Sequence, residues 1–523
     1  MLSRLLWLLR IAWRNFCYRA LSSFLTTLSL ALGVALVVLV LAVFGIVTEA
    51  FSRNAQVGYN LVIGAPKGSA MQLTLNSVYY LSQPNENLPF TEYMEFFPAK
   101  HRAEMVRKYG GDPALGERDG VYASYIQFDE ASPINFPFFA LDGESVAELQ
   151  AAGIMTLGDA AAHYKEHDTF ADLEGVDENQ SALLVDSLGL RGFAIPLALG
   201  DYLGEYRVVG TTPDFFEKLR HGPLLEERLG FRDGRPFKSH SEENGYFEAV
   251  LGIRVAKTLN LKVGDVFNST HGDPEGDGHG HGFTVVGILE PTGTPNDRAA
   301  FVNLEGFYLQ ENHAKPLKEG AIVVPPTEAP VDAEGHEPLS IPAREVTAIL
   351  VRNGKLMLAP GMENEINESM RAQAAAPVAQ IAILMNSILG PILSALLVIT
   401  LITCVVAAVG VLVAIYNSMN DRRRDIAVMR ALGARRETVT GVILLESLLI
   451  AVIGAAFGWL LAHGAIYLFS GEIEDRTGVQ PGIFATSAYE LYVFPLVLIL
   501  ALLAGFLPAW SAYRTDVGSN LAA

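Results

Sequence analysis

Four stretches of the chain run without a charged residue for longer than the ~20 positions a helix needs to cross a bilayer: 24–48, 372–420, 447–471 and 491–513. Between the first and the second lies a segment of a different texture. There, short β-branched and aromatic runs such as YRVVG (206–210), FTVVGIL (283–289), GAIVV (320–324) and VTAILV (346–351) alternate with helix-like stretches such as ESVAELQAAG and VAKTLN. The pattern predicts an α-helical membrane protein with four transmembrane helices and a large mixed α+β extracytoplasmic domain inserted between helices 1 and 2.

The same reading places the boundaries. An amphipathic interfacial helix over 1–23 carries Arg10 and Arg14 on one face and Leu5, Leu6, Leu9, Trp13 and Phe16 on the other, a pattern suited to the headgroup zone. Transmembrane helix 1 spans 24–48, and its apolar run is too long for a cleaved signal peptide, so it reads as a retained anchor. The extracytoplasmic domain covers 49–380 and is large enough to predict two subdomains. Helix 2 follows over 381–416, a cytoplasmic loop over 417–437, helix 3 over 438–470, an outer loop over 471–489, helix 4 over 490–513 and a tail over 514–523. Helix 2 would extend ~54 Å against a hydrocarbon core of ~30 Å. It is therefore expected to project as a stalk, with Gly390-Pro391 as its kink.

Charge sharpens this division. The whole chain carries −19, but residues 49–380 alone carry −22 and the remainder +3. An acidic domain set into a mildly basic scaffold disfavours nucleic acid as a partner. Arginines gather before the first span (Arg4, Arg10, Arg14, Arg19) and in the 417–437 loop, while the 471–489 loop holds only Arg476 against three acids. The positive-inside rule then puts both ends and the 417–437 loop in the cytoplasm and the large domain outside. Cys17 and Cys404 both fall in membrane-associated segments, which leaves the 49–380 domain without a disulfide or thiolate metal site.

Specific chemistry begins at NSMNDRRRDIAVMRALGARRETV (417–439). A short amphipathic helix is predicted here, with Ile426, Met429 and Leu432 as apolar contacts, Arg424 and Arg430 on its basic flank and Gly433 as its terminator. A solvated basic loop would account for the arginines but not for the apolar face. This stretch resembles the cytoplasmic signature of the FtsX/MacB-type (type VII) ABC transporter permease family. WRN at 13–15, SSFLTTLSLALGVAL at 22–36 and LPAWSAYRTD at 507–516 are similar to the same family's first and last spans. VVGTTPDFFE (208–217), VLGIRVAKTLNLKVGDVF (250–267) and FTVVGIL (283–289) resemble its MacB-like periplasmic core domain.

The resemblance implies that Arg424, Ile426, Met429, Arg430, Leu432 and Gly433 couple the chain to a cytoplasmic ABC ATPase subunit. It also implies pairing with a second permease chain, as a homodimer or heterodimer, in a bacterial inner membrane. ATP-driven motion would pass to the extracytoplasmic domain, for export or for handling of a lipoprotein or other substrate. Two alternatives remain open: an FtsX-like regulatory scaffold that activates cell-wall hydrolases through an extracytoplasmic partner, and a membrane-anchored metal-binding domain. The chain itself is expected to be non-catalytic and without cofactor, ATP being bound by the partner. GAPKGS (64–69) lacks the G-K-[ST] ending of a phosphate loop, and no G-x-S-x-G elbow is present.

Two further features are weighed at this point. Gly454 and Gly458 form a small-xxx-small pair suited to close helix packing. His271, His279 and His281, with Asp273, Glu275 and Asp277, could supply metal ligands, but the flanking strands make 271–282 read as a solvent-filling hairpin tip, and no metal is favoured.

Overall fold

The computed structural model describes the chain except for residues 1, 19, 56–57, 82, 85, 127–142, 189–191, 222–226, 273–277, 312, 318–321, 329–330, 333–334, 355–357, 422–432, 478–487 and 515–523. It separates into two compact units, one formed by Met1–Ala50 with Met385–Ala523 and the other by Phe51–Leu384.

The first unit is helical: α1 Leu2–Tyr18, α2 Ala20–Ala55, α3 Gly390–Asp421, α4 Arg436–Thr477 and α5 Val493–Arg514. Among the described residues three helical stretches are long and apolar enough to cross a membrane, Ala20–Gly45, Pro377–Gly410 and Arg436–Gly471, and a shorter apolar helix covers Glu490–Phe506. The core of this unit is built from Leu30, Val34 and Val38 of α2, Ile443, Ile450, Ala451 and Ala455 of α4, and Val497, Ala501 and Ala504 of α5. Alanine recurs where helices meet because hydrocarbon outside removes the hydrophobic drive, and close backbone approach must supply the attraction instead. Buried hydroxyls are satisfied within their own helices: Thr27 Oγ1 donates to the Ser23 carbonyl at 2.7 Å and Ser447 Oγ to the Ile443 carbonyl at 3.0 Å. By contrast α3 is mostly exposed, with Leu396, Ile399, Ile402 and Val406 uncovered while Leu412 packs against the core.

The second span differs from its expected form. The helix starts at Pro377, runs to Leu384, passes through a π-helical turn at Met385–Leu389 and resumes at Gly390. The irregularity thus precedes Gly390-Pro391. Pro391 has no N–H and its ring would strike the carbonyl four residues back; a wider turn just before it removes that clash.

The second unit is built on an eleven-stranded mixed sheet. Its strands are β1 Leu61–Gly64, β2 Phe193–Leu203, β3 Tyr206–Thr211, β4 Phe231–Gly234, β5 Glu248–Leu251, β6 Val266–Phe267, β7 Thr270–His271, β8 Phe283–Leu289, β9 Ala299–Asn303, β10 Ala348–Arg352 and β11 Gln373–Ala375. The main order is β11-β1-β10-β2-β3-β9-β5-β8-β4, with β7 pairing β2 and β6 pairing β8. The strand side chains alternate between the faces, except where register shifts interrupt β2 after Leu199 and β8 at Val285–Leu289. Val62, Ile195, Leu197, Val209, Val250, Phe301 and Leu350 line one continuous buried face. Their neighbours line the other, which is covered by two separate clusters: Leu61, Ile63, Ile349 and Val351 in one, Val208, Ala249, Ala300 and Val302 in the second. A sheet covered on both sides takes apolar residues on both faces, which is why Ala348–Val351 reads as a continuous apolar run. A fifth cluster, among helices Gly143–Ala151, Leu157–His167 and Glu178–Leu188, is held by Leu149, Phe170 and Val185.

Candidate coupling and metal-ligating residues

Of the six residues assigned to coupling, Arg424, Ile426, Met429, Arg430 and Leu432 lie outside the described residues. Gly433 is described. Its φ of +100° is a backbone state that a side chain would strain, three residues before α4 begins at Arg436.

Gly454 and Gly458 sit on the face of α4 turned to α2. A Cβ on Gly454 would lie 3.0 Å from the Leu30 side chain; one on Gly458 would lie 2.5 Å from the Ala31 carbonyl oxygen and 2.8 Å from Val34 Cβ. At Gly505 of α5 an added Cβ would collide with Ser447 Oγ of α4. These glycines let α4 pack closely against α2 and α5, with Gly458 at the backbone of Ala31.

The histidine segment is organised by the sheet. Pairing of β7 with β2 sets Thr270 opposite Tyr202 and His271 opposite Asp201. The chain then turns at Gly272, whose N–H donates to the Gly200 carbonyl, and returns so that the His279 N–H donates to the Ser269 carbonyl at 2.9 Å. Asp273, Glu275 and Asp277 lie outside the described residues. His313 reaches the same point from beyond the helix Leu304–Tyr308. Asp201, His271, His279 and His313 bring one ligand atom each within 4.8 Å of all the others. His281 does not join them; its ring stacks on Phe247 and meets His336 edge-on.

Asp201 is fully buried, yet its carboxyl is held below its ordinary range. Burial pushes the value up, and His313, Ser269 and His279 together reverse it. For His279 burial dominates: it lowers the imidazole value and favours the neutral ring, against the pull of Asp201. A second, more open group joins His163 and His167, one turn apart on a helix, to Asp172 at 3.2 and 3.5 Å.

Sequence reasoning passed over Asp201 and His313. The available signal for Asp201 was a lone carboxylate in the otherwise uncharged run FAIPLALGDYL. His313 had none, since it lies far along the chain from His271 and only the fold joins them.

Two family models together match most of the chain. Residues 23–334, more than half of the chain, match the family model of the MacB-like periplasmic core domain, and residues 397–517 that of the FtsX-like permease C-terminal domain. Among curated proteins the chain is similar to macrolide export ATP-binding/permease proteins MacB. It is 32% identical over 118 residues to that of Hahella chejuensis, covering 23% of this chain and 17% of the relative. It is also 32% identical over 124 residues to that of Bordetella avium, covering 24% and 18%, and 30% identical over 122 residues to that of Chromobacterium violaceum, covering 23% and 18%. The alignments thus span under a fifth of each relative's length. With a MacB-like core domain on its mixed sheet and an FtsX-like permease domain on its apolar helices, the chain belongs to the FtsX/MacB-type family of ABC transporter permeases.

Proposed function

We propose that this chain is a four-span, non-catalytic permease subunit that pairs with a second permease chain and takes its energy from a separate cytoplasmic ABC ATPase. The observation that carries the reading is the FtsX-like match over 397–517, which encloses the arginine-rich loop with its Ile426, Met429 and Leu432 face. ATP-driven motion enters at that loop, passes along α3 and reaches the extracytoplasmic domain, where export or lipoprotein and substrate handling takes place. The uncovered apolar surface of α3 supports an environment of membrane lipid or a second chain around it.

Affinity purification of the solubilised protein tests the reading directly. A P-loop ATPase should co-purify, and the double variant Ile426→Asp, Met429→Asp should lose at least about nine-tenths of it while inserting normally, because each carboxylate would enter a contact that excludes water. Equal recovery of the ATPase by the double variant would remove the coupling assignment. Absence of any ATPase from the wild-type complex, even after cross-linking in membranes, would remove the transporter reading.

Orientation has its own check. In a background lacking Cys17 and Cys404, a cysteine at the exposed Ser239 should react with an impermeant maleimide in spheroplasts, whereas one at Ser418 should not. Labelling of Ser418→Cys from outside would reverse the topology.

A further inference from the structure

We infer that Asp201, His271, His279 and His313 form a tetrahedral binding site for a divalent transition-metal cation of the zinc class, in the extracytoplasmic unit and independent of the coupling machinery. Three imidazoles and one carboxylate are a nitrogen-rich, borderline donor set of the kind zinc takes.

The distances support this. His279 Nε2 lies 3.1 Å from Asp201 Oδ2, His313 Nε2 lies 3.1 Å from Asp201 Oδ1, and His271 Nδ1 lies 3.2 Å from Asp201 Oδ1 and 3.1 Å from His313 Nε2. A tetrahedral zinc ion with ligands at ~2.0–2.2 Å would set its ligand atoms about 3.3–3.6 Å apart. These four separations lie a few tenths of an ångström below that span, and no two ligand atoms of the group are more than 4.8 Å apart, so small side-chain shifts would seat the ion.

Hydrogen bonding also leaves the right atoms for a cation. His313 Nδ1 lies 2.6 Å from the Phe307 carbonyl oxygen, which can only accept, so Nδ1 carries the hydrogen and Nε2 of the neutral ring turns its lone pair to the cluster. Such a carbonyl behind a ligating imidazole fixes tautomer and orientation. Ser269 Oγ donates to Asp201 Oδ2 at 2.9 Å and orients the carboxylate in the same way. His279 Nε2 is the telling atom. It is buried 3.1 Å from Asp201 Oδ2, yet it makes no well-aligned hydrogen bond among the described residues. A buried imidazole nitrogen in that state costs free energy unless something else satisfies it, and a cation between it and Asp201 would.

The four ligands come from the end of β2, from both sides of the 271–279 turn and from the segment after the helix Leu304–Tyr308. A bound ion therefore fastens the turn and that segment to the sheet. The group at His163, His167 and Asp172 offers three ligands in place of four, and the His163 ring is stacked between those of His167 and Phe170.

The full-length protein, solubilised and carrying a tag without histidine, is stripped with chelator and titrated with Zn²⁺ and, separately, with Co²⁺. One Zn²⁺ per chain should bind at submicromolar concentration, and Co²⁺ should give the intense visible absorption of four-coordinate cobalt. His271→Gln changes the most exposed ligand and spares the fold. It should weaken binding at least about 100-fold, since even outer-shell changes around such sites cost 10–100-fold, and Asp201→Asn should abolish the cobalt spectrum. His281→Asn and His167→Asn should leave this site's affinity unchanged. Zinc binding equally tight in wild type and His271→Gln, no submicromolar binding in the wild type, or six-coordinate cobalt would each overturn it.

Discussion

Replacing Arg344 by Ala is expected to destabilise the extracytoplasmic unit by about 3–5 kcal/mol, the range for breaking a buried ion pair from one side. Arg344 is fully buried, and Nη1 and Nη2 donate to the two carboxylate oxygens of Glu305 at 2.8 and 2.6 Å while Nε donates to the Leu339 carbonyl at 2.6 Å. The guanidinium lies 3.7 Å from the centre of the Tyr109 ring and is flanked by Tyr308 and Phe90. Alanine would strand the Glu305 carboxylate in an aromatic box and leave a cavity. Pairing Arg344→Met with Glu305→Leu should recover part of the loss, because apolar replacement of both partners removes the unpaired charge.

The chain provides a way to read this unit apart from the other. All four tryptophans, Trp7, Trp13, Trp459 and Trp510, fall outside Phe51–Leu384. Urea unfolding of the variant should therefore show early loss of amide protection in 51–384 with an unchanged tryptophan transition. A shift below ~1 kcal/mol would place Arg344 among surface pairs and contradict its burial.

The second large effect belongs to the membrane unit. Gly458→Leu should disrupt the packing of α2 on α4, since its first side-chain carbon alone would stand 2.5 Å from the backbone oxygen of Ala31. Backbone cannot rotate aside as a side chain does, so the helices must separate. The loss should exceed the ~1–3 kcal/mol typical of overpacking and appear in the tryptophan transition, Trp459 being next in sequence. Gly464→Leu provides the comparison: nothing lies within 4 Å of a Cβ there, and thermal stability in detergent should hardly change. Equal melting of the two variants would show that α2 does not lie against Gly458.

Both predictions bear on how far local pattern reaches. The sequence by itself determined a membrane chain with a large inserted α+β domain, because apolar runs above bilayer length and short β-branched and aromatic runs are properties of neighbouring residues. It also marked Gly454 and Gly458, whose spacing of four puts them on one helical face. The π-turn at Met385–Leu389 was legible only as a disturbance near Gly390-Pro391; its place depends on how the backbone relieves the proline clash. Tertiary structure alone decided the histidine cluster. His281, adjacent in sequence to the candidates, turns to Phe247 and His336, while Asp201 and His313 enter from elsewhere. The physical reason is register: β7 pairs β2 with His271 opposite Asp201, a strand alignment that no spacing within the 271–282 segment can express. The same holds for Arg344 and Glu305, which no local pattern singles out and which only the folded chain buries against each other among Tyr109, Phe90 and Tyr308.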